Sequence, residues 1–431
     1  MPIAVETTIH AIVFVVQLTP IGTNLGLARI MWAMVNGSFL QSRGAIFAAL
    51  QNSGFEPAEI HQSWSALRYG SWRIDELVSD WQMYVARENQ WRERRYERRK
   101  VVSIDITGFW RPRLKGWLGK HYHHMFGKAL PAVVVGVVAI SGEIGGRRIP
   151  ILRAIVRCQP EMSEAAFRTW LLREAVARGQ SDEVKVVDAG FKISELHEAG
   201  VKGYVIRAAT NFTARRNRLP KYKGRGRRSI YGTKIRPLAR KRLDKPIAAT
   251  SPDQTSEFKY EKRTIRTAYW KELVLTDTPV SEDASTFSVY VFYDPHYTKP
   301  LVLVTDLELS PESVYLIYKD RWPVEQPPLA AKQMIGLHRQ FVFAPEACFR
   351  LPELALLAGS ILTYAAAVLP PVPSGFWDRK PQATPGRLRR LLGQAELPNL
   401  TAFDPQLRNK RSLSAHLPKG VAAHRRQKRA A

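Results

Sequence analysis

Cysteine is nearly absent from this 431-residue chain, which holds only Cys158 and Cys348. They have no zinc-ligand spacing, and two isolated cysteines in so long a chain suit a reducing compartment. A basic segment ahead of the first apolar stretch is lacking too. The first lysine or arginine is Arg29, so Ile9–Leu18 has no positive n-region and does not read as an export signal. Long apolar runs are equally scarce. Leu354–Leu369 is interrupted by Gly359, Ser360 and Thr363, is short for a membrane span, and reads as a buried helix. The expectation is a cytoplasmic chain with no membrane partner.

Negative charge is the next shortage. Aspartate and glutamate number 38 against 65 lysines and arginines, a net charge of +27. A surplus of this size repels itself in a lone compact protein and makes sense beside a polyanion. Nucleic acid is the leading candidate and an anionic membrane surface the second, with a merely basic protein as the plain alternative. Hydrophobic residues, at 45%, suffice for real cores, and the length calls for two or three domains.

Helical signals dominate the first hundred residues. Ser42–Ser53 stops at Gly54, Pro57 suits the first turn of a helix reaching Arg68, and Leu77, Trp81, Tyr84 and Val85 have helical spacing after Gly70. These helices fit a helix-turn-helix-like DNA reader or an ordinary bundle. Their continuation through Arg92, Arg94, Arg95, Arg98, Arg99 and Lys100 fits a phosphate-tracking helix or a solvated charged face. From Val101 the texture changes. Strands are predicted at Val101–Ile106, Ala129–Ile140 and Arg148–Arg157, then a helix at Ser163–Arg178, a strand at Val184–Asp188, a short helix at Ile193–Ala199 stopped by Gly200, and a strand at Gly203–Arg207. Three strands, helix, strand, helix, strand is the order of a ribonuclease H-like core, a mixed α/β sheet flanked by helices, although many α/β folds share parts of it.

Arg215–Arg242 carries no acidic residue, and Gly224, Gly226 and Gly232 suggest an arm. Strand-like stretches follow at Thr264–Leu275 and Thr286–Tyr293, so residues 212–299 read as a basic arm and β-rich insertion. Leu301–Thr305 resumes the core, and Ser310 with Pro311 starts a helix. The division predicted is a helical DNA-binding region over 1–99, core over 100–211 and 300–369, the insertion between, and a basic Pro/Arg-rich tail over 370–431 ending in a disordered stretch, Arg425–Ala431.

Three acids stand out by context. Asp105 lies in an apolar strand, where a charge is costly without a partner; Asp188 ends a strand, where open α/β sheets build sites; Glu325 follows Arg321 and Trp322 just after a helix. Each alone also fits a capped turn or a salt-bridged carboxylate. Together, three carboxylates suit Mg2+ or Mn2+, and two such ions can serve phosphodiester cleavage.

From Tyr318 the sequence runs Tyr-Lys-Asp-Arg-Trp-Pro-Val-Glu, with Lys332 beyond, giving Tyr, two residues, Arg, three residues, Glu, six residues, Lys. This resembles the YREK signature of insertion-sequence DDE transposases of the IS family four group. Ile104-Asp105-Ile106-Thr107 resembles that family's first-aspartate motif, and Val187-Asp188-Ala189-Gly190-Phe191, followed by Tyr204-Val205-Ile206-Arg207 and Asn211, resembles its second. The resemblance spans roughly Val101 to Tyr364 and includes the β-rich insertion. It implies that Asp105, Asp188 and Glu325 ligate the metal, and that Tyr318, Arg321 and Lys332 contact DNA. It further implies metal-dependent cleavage at transposon ends and strand transfer. The partners would be the double-stranded DNA of terminal inverted repeats and target, held by a homodimer associated with the nucleoid. Pro323, Pro327 and Pro328 depart from a continuous helix, so a break is predicted near Trp322–Gln326 with a second helix from near Pro327.

Lesser candidates remain. His121, His123 and His124 fit a metal site or a solvated loop. Phe109–Trp117 interleaves Trp110 and Trp117 with Arg111, Arg113 and Lys115, fitting DNA contact or a packed hairpin. Trp270 fits a base wedge or a buried core residue. Two other functions compete: a DNA-binding protein without catalysis, such as a decayed transposase or a repressor, and a ribonuclease H-like nuclease acting in repair or on RNA.

Overall fold

A computed structural model describes residues 2–410 except 112, 115–118, 223, 225 and 244. Trp117, Lys115 and the stretch Arg425–Ala431 lie outside the described residues. The protein is mixed α/β, with a large mixed sheet and helices packed on it.

Helices come first: α1 (Ile3–Val16), α2 (Thr23–Val35), a single helical turn at Ser38–Gln41, then α3 (Ile46–Asn52), α4 (Pro57–Tyr69) and α5 (Ile74–Glu88). Gly54, at φ +83°, separates α3 from α4 in a conformation that residues with a Cβ rarely adopt. Pro57 occupies the first turn of α4, where its missing N–H costs nothing. The apolar stretch near the N-terminus is not a free segment, since α1 and α2 are buried along most of their lengths.

The predicted run of helix through Arg92–Lys100 does not form. The chain leaves α5 at Asn89 with a left-handed backbone and makes two short strands, Arg92–Glu93 and Arg95–Tyr96, before β1 (Arg99–Trp110). β2 (Lys128–Ile144) pairs antiparallel with β1 and with β3 (Arg147–Arg157). Helix α6 (Glu164–Ala177), whose N-cap Ser163 accepts from the Ala166 N–H, leads to β4 (Glu183–Val187). Helix α7 (Ile193–Glu198) leads to β5 (Tyr204–Ala208). β4 is parallel to β1, and β5 is parallel to β4. The spatial order of the first five strands is therefore β3-β2-β1-β4-β5.

The insertion extends this sheet. β6 (Gln254–Tyr260), β7 (Arg263–Val274) and β8 (Phe287–Tyr293) form an antiparallel meander, and β9 (Leu301–Thr305) joins β8 on one side to β5 on the other. Next comes α8 (Pro311–Lys319), capped by the Ser310 hydroxyl with Pro311 at its first position. Trp322–Glu325 is a 3-10 turn where the prolines predicted a break; a short α turn at Gln326–Leu329 and a π turn at Ala330–Met334 follow. Helices α9 (Pro345–Val368) and α10 (Pro385–Leu392) complete the described chain.

Alternation along β2 sorts the cores. Val133, Val135, Val137 and Ala139 face α1, α2, α5 and α9, whereas Ala132, Val134 and Val138 face α6 and α7. A third core under β4, β5 and β9 is closed by Val314, Tyr315 and Ile317 of α8. Helix α9 is long and apolar enough to cross a membrane, but 89% of its apolar window is buried inside the fold. Past residue 370 the chain was expected as a tail. Instead Leu388, Leu392, Leu400 and Leu407 pack into the same core as α1 and α9.

Candidate active site

The strand register brings Asp105 and Asp188 together. Ser103 of β1 stands beside Val186 of β4 in the parallel ladder. Two residues further along each strand, Asp105 and Asp188 reach the same level, and a step of two returns each side chain to one face. Neighbouring strands lie about 4.8 Å apart. The placement is thus fixed by the backbone, because slipping either strand by one residue would turn its carboxylate to the opposite face.

Local hydrogen bonds then orient the carboxylates. Asp105 Oδ1 accepts from the Ile106 N–H at 2.8 Å, and Asp188 Oδ1 accepts from the Gly190 N–H at 2.8 Å. Asp188 therefore closes a turn two residues long, leaving its second oxygen uncommitted by that bond.

The third acid arrives from α8. The tight turn after Lys319 points Arg321 back at the sheet. Its Nη2 donates to Glu325 Oε1 at 2.9 Å, and its Nη1 lies 3.9 Å from Asp105 Oδ2. Arg321 is mostly buried, and its Nε and Nη1 find no hydrogen-bond acceptor among the described residues. A buried guanidinium with spare donors is poised for a further anionic acceptor. Glu325 is more open than Asp105, with its side chain 42% exposed against 23%.

The electrostatics record the crowding. Burial, then the neighbouring Asp188 carboxylate, pushes the Asp105 carboxyl up to about 7; Glu325 adds to this while Arg321 and the Ile106 N–H oppose it. Burial raises the Tyr318 hydroxyl above its ordinary value, against the pull of Arg321 and Arg207. The Arg321 guanidinium stands 5.8 Å from the Tyr318 ring centre.

Lys332 reaches β1 further along, past Asp105. Its Nζ donates to Thr107 Oγ1 at 2.6 Å and stands 4.8 Å from the Trp110 ring centre. Thr107 is two residues beyond Asp105 on β1, so Lys332 lies over the face that carries Asp105. Burial lowers the Lys332 ammonium to about 8, with Asp105 pulling the other way.

All six residues picked out in the sequence, Asp105, Asp188, Glu325, Tyr318, Arg321 and Lys332, thus meet in one neighbourhood. The carboxylates do not close on a single point. Among the described residues, no three histidine, cysteine, aspartate or glutamate side chains stand together as an ion-holding group. Arg321 occupies the space between Asp105 and Glu325 instead. The donor set is all oxygen, the kind taken by hard divalent cations.

No protein-family model matches the chain, and no curated protein matches its sequence.

One organising residue escaped the sequence. Asp320 is 0% exposed and accepts from Arg94 Nε at 2.7 Å and from the Tyr96 hydroxyl at 2.7 Å, while Arg148 Nε lies 2.9 Å away. Its carbonyl accepts from the Ser141 hydroxyl at 2.8 Å. This knot ties the end of α8 to β2 and the Arg92–Tyr96 segment, and so fixes the backbone from which Arg321 projects. Arg94 is therefore an internal anchor, not part of a phosphate-tracking helix. The signal available was Asp320 itself, an acid between two cations at a helix end.

The lesser candidates resolve without a new centre. Trp270 is 1% exposed and donates from Nε1 to the Ser251 carbonyl at 2.8 Å, so it is a core residue and not a wedge. His121 and His123 pack against Trp110 at ring distances of 5.9 and 4.4 Å.

Proposed function

We propose that the chain is a DDE-type transposase with a ribonuclease H-like core, cutting and joining DNA with the help of divalent metal. The observation carrying this reading is that Asp105, Asp188 and Glu325, from three distant stretches of sequence, share one neighbourhood in which the under-satisfied Arg321 stands between Asp105 and Glu325. The strand order β3-β2-β1-β4-β5, with only β2 antiparallel to its neighbours, supports the ribonuclease H-like assignment. The net charge of +27 supports a polyanionic substrate.

Asp105, Asp188 and Glu325 are the residues that would hold Mg2+ or Mn2+. When bound, a pair of such ions about 4 Å apart supplies an activated nucleophile and a neutralised leaving oxygen. The rest falls to the chain. Arg321 has donors to spare, so an incoming phosphate draws the guanidinium toward itself and loosens its hold on Glu325 and Asp105. DNA binding and release of the acidic ligands are then one event. Lys332, steadied by Thr107 and Trp110, holds a second phosphate near the cut strand. Tyr318 keeps Arg321 in place through its ring face.

The deciding experiment is cleavage of duplexes carrying the element's terminal repeats, with Mg2+, with Mn2+ and with excess chelator. Metal-dependent, end-specific cutting supports the reading, and cutting undiminished by chelator overturns it. A second reading, a DNA-binding protein without catalysis, is favoured by the Arg321–Glu325 ion pair, which keeps the acids apart. It predicts tight DNA binding with no cutting in any metal.

A further inference from the structure

The main strands run in the order β3-β2-β1-β4-β5-β9-β8-β7-β6, so β3 and β6 are the outer ones. An outer strand carries unpaired backbone groups that can recruit another strand. The fold covers one of the two. Three β3 carbonyls accept from side chains: Arg148 from Gln326 Nε2 at 3.2 Å, Ile149 from Trp91 Nε1 at 2.8 Å and Arg153 from Gln82 Nε2 at 3.2 Å. Among the described residues β6 has no such cover. Tyr260 pairs with Arg263 across the turn Glu261–Lys262, in which both residues have positive φ. Such a turn makes its flanking residues a hydrogen-bonded pair, and bonding then alternates along the strand. Tyr260, Phe258 and Ser256 therefore bond toward β7, while Lys259, Glu257 and Thr255 turn their N–H and C=O groups outward. These last residues are all exposed. The strand itself is firmly held, since the Phe258 and Tyr260 rings pack on Tyr315 of α8 at 5.6 and 5.4 Å.

Charge on this edge selects the occupant. A lone charge on an outer strand deters pairing. Glu257 and Lys259, opposite in sign and both outward, answer each other when β6 meets a second copy of itself about a two-fold axis. Outward residues must then oppose outward residues. An antiparallel pairing centred on Glu257 sets like charge against like. Centred on Phe258, it sets Glu257 against Lys259 of the second copy and Lys259 against Glu257 of the second copy, and such opposite-charge pairs stabilise a sheet. Within its own hairpin Glu257 stands opposite Arg266. Charge thus alternates across the junction, from Arg266 to Glu257 to Lys259 of the second copy. A strand from an unrelated protein could fill the backbone bonds, but nothing would make it repeat these charges in mirror order. We propose that β6 is a self-association surface, joining two copies edge to edge, antiparallel about Phe258, into one continuous sheet. The pairing needs neither DNA nor catalysis, so it stands whether or not the chain is a transposase.

The test is sedimentation velocity of the full chain, freed of nucleic acid, over about 1–100 μM, with thermal melting recorded to show that each variant keeps its fold. Wild type should pass reversibly from monomer to dimer. Glu257→Lys and Lys259→Glu should each weaken association by about tenfold or more, because two like-charged pairs replace two opposite ones. Both exchanges together should return it to within about threefold of wild type, since the pairs re-form with their signs reversed. Net charge cannot mimic this pattern: Lys259→Glu lowers the positive surplus, and relief of general repulsion would tighten association. A wild-type chain that stays monomeric across the range overturns the proposal. A dimer indifferent to either single exchange overturns it as well, and so does a double exchange that fails to restore the dimer.

Discussion

Asp320 and Arg321 are neighbours in sequence and opposites in circumstance. Asp320 is sealed from solvent, and three donor-bearing side chains surround it. Arg321 faces a half-open cluster of acids and leaves two of its nitrogens without acceptors. Asp320 Oδ2 takes two hydrogen bonds and its Oδ1 faces Arg148 as an ion pair, whereas Arg321 leaves Nε and Nη1 open beside crowded carboxylates. Buried polar groups are normally paired, so an incompletely satisfied cation beside crowded carboxylates marks where the fold has not been tuned for its own stability. The first residue belongs to the scaffold, and the second is where the proposed chemistry would draw its phosphate contact.

Mutation should separate the two. Alanine at Asp105, Asp188 or Glu325 should lower cleavage by about 10³-fold or more, the scale seen when one member of an interdependent catalytic set is removed. In chelator the same variants should bind DNA as well as wild type or slightly better, because each removes a negative charge from the path of a polyanion. Arg321→Ala and Lys332→Ala should weaken end binding and make it less salt-dependent. Parallel cleavage and gel-shift assays check both arms. If the acid variants lose binding with the fold intact, these carboxylates are not a metal cage.

At Asp320 the expected loss is in stability. Asp320→Ala removes the buried acceptor of Arg94 and Tyr96 and the ion-pair partner of Arg148; Arg94 keeps Glu143 and both arginines are partly exposed, so the cost should be about 1–3 kcal/mol, read by urea unfolding. A loss below about 1 kcal/mol would mean that the knot does not hold α8 in place.

Protons offer a gentler way to sharpen the contrast. The Asp105 carboxyl, at about 7 in the fold, lies above its ordinary value of about 4. A raised carboxyl favours folding while protonated, so its contribution is full below about pH 4 and is lost as pH rises through 7. In chelator the wild-type melting temperature should therefore drift down between pH 5 and pH 8. Asp105→Asn should flatten the drift, and Mg2+ should restore wild-type stability at pH 8. Calorimetry in matched buffers measures all three, and a slope unaltered by the substitution contradicts the assignment.

The smallest effect belongs to Thr107→Val. It removes the acceptor that steadies Lys332 while keeping the β-branched shape, and should cost about 1 kcal/mol in end binding. Thr107→Ser should recover most of that loss. Rescue by serine distinguishes the hydroxyl from mere packing.

Much of this arrangement was legible in the sequence because it is written in local signals. Leu301–Thr305 forms a strand with the predicted ends, and Ser310 with Pro311 starts α8 as their chemistry requires. Valine-rich β2 could hardly be anything else. The three prolines at 323, 327 and 328 announced the 3-10 turn that swings Glu325 toward Arg321. What stayed hidden was set by distant partners. Arg94 looked like a cation for phosphate because nothing near it in sequence discloses Asp320, 226 positions away. Trp270 fitted a wedge or a core residue equally by type, and only its distant partner, the Ser251 carbonyl that takes its N–H, shows which it is. The segment after Pro370 looked like a tail, since the surface that Leu388 and Leu392 cover is built from α1 and α9 at opposite ends of the chain. That Arg321 stands between Asp105 and Glu325 was equally beyond any spacing rule.

The shared core of α1, α2, α5 and α9 has a temporal consequence. A ribosome adds about 5–20 residues per second, so roughly 10–60 s separate the emergence of α5 from that of α9. Through that interval the first helices lack the long apolar partner that closes their core. Glu325 also appears late, after Asp105 and Asp188 are already extruded. A nascent chain that ends before Glu325 thus lacks the third acid of the candidate site, whatever contacts its early cations make.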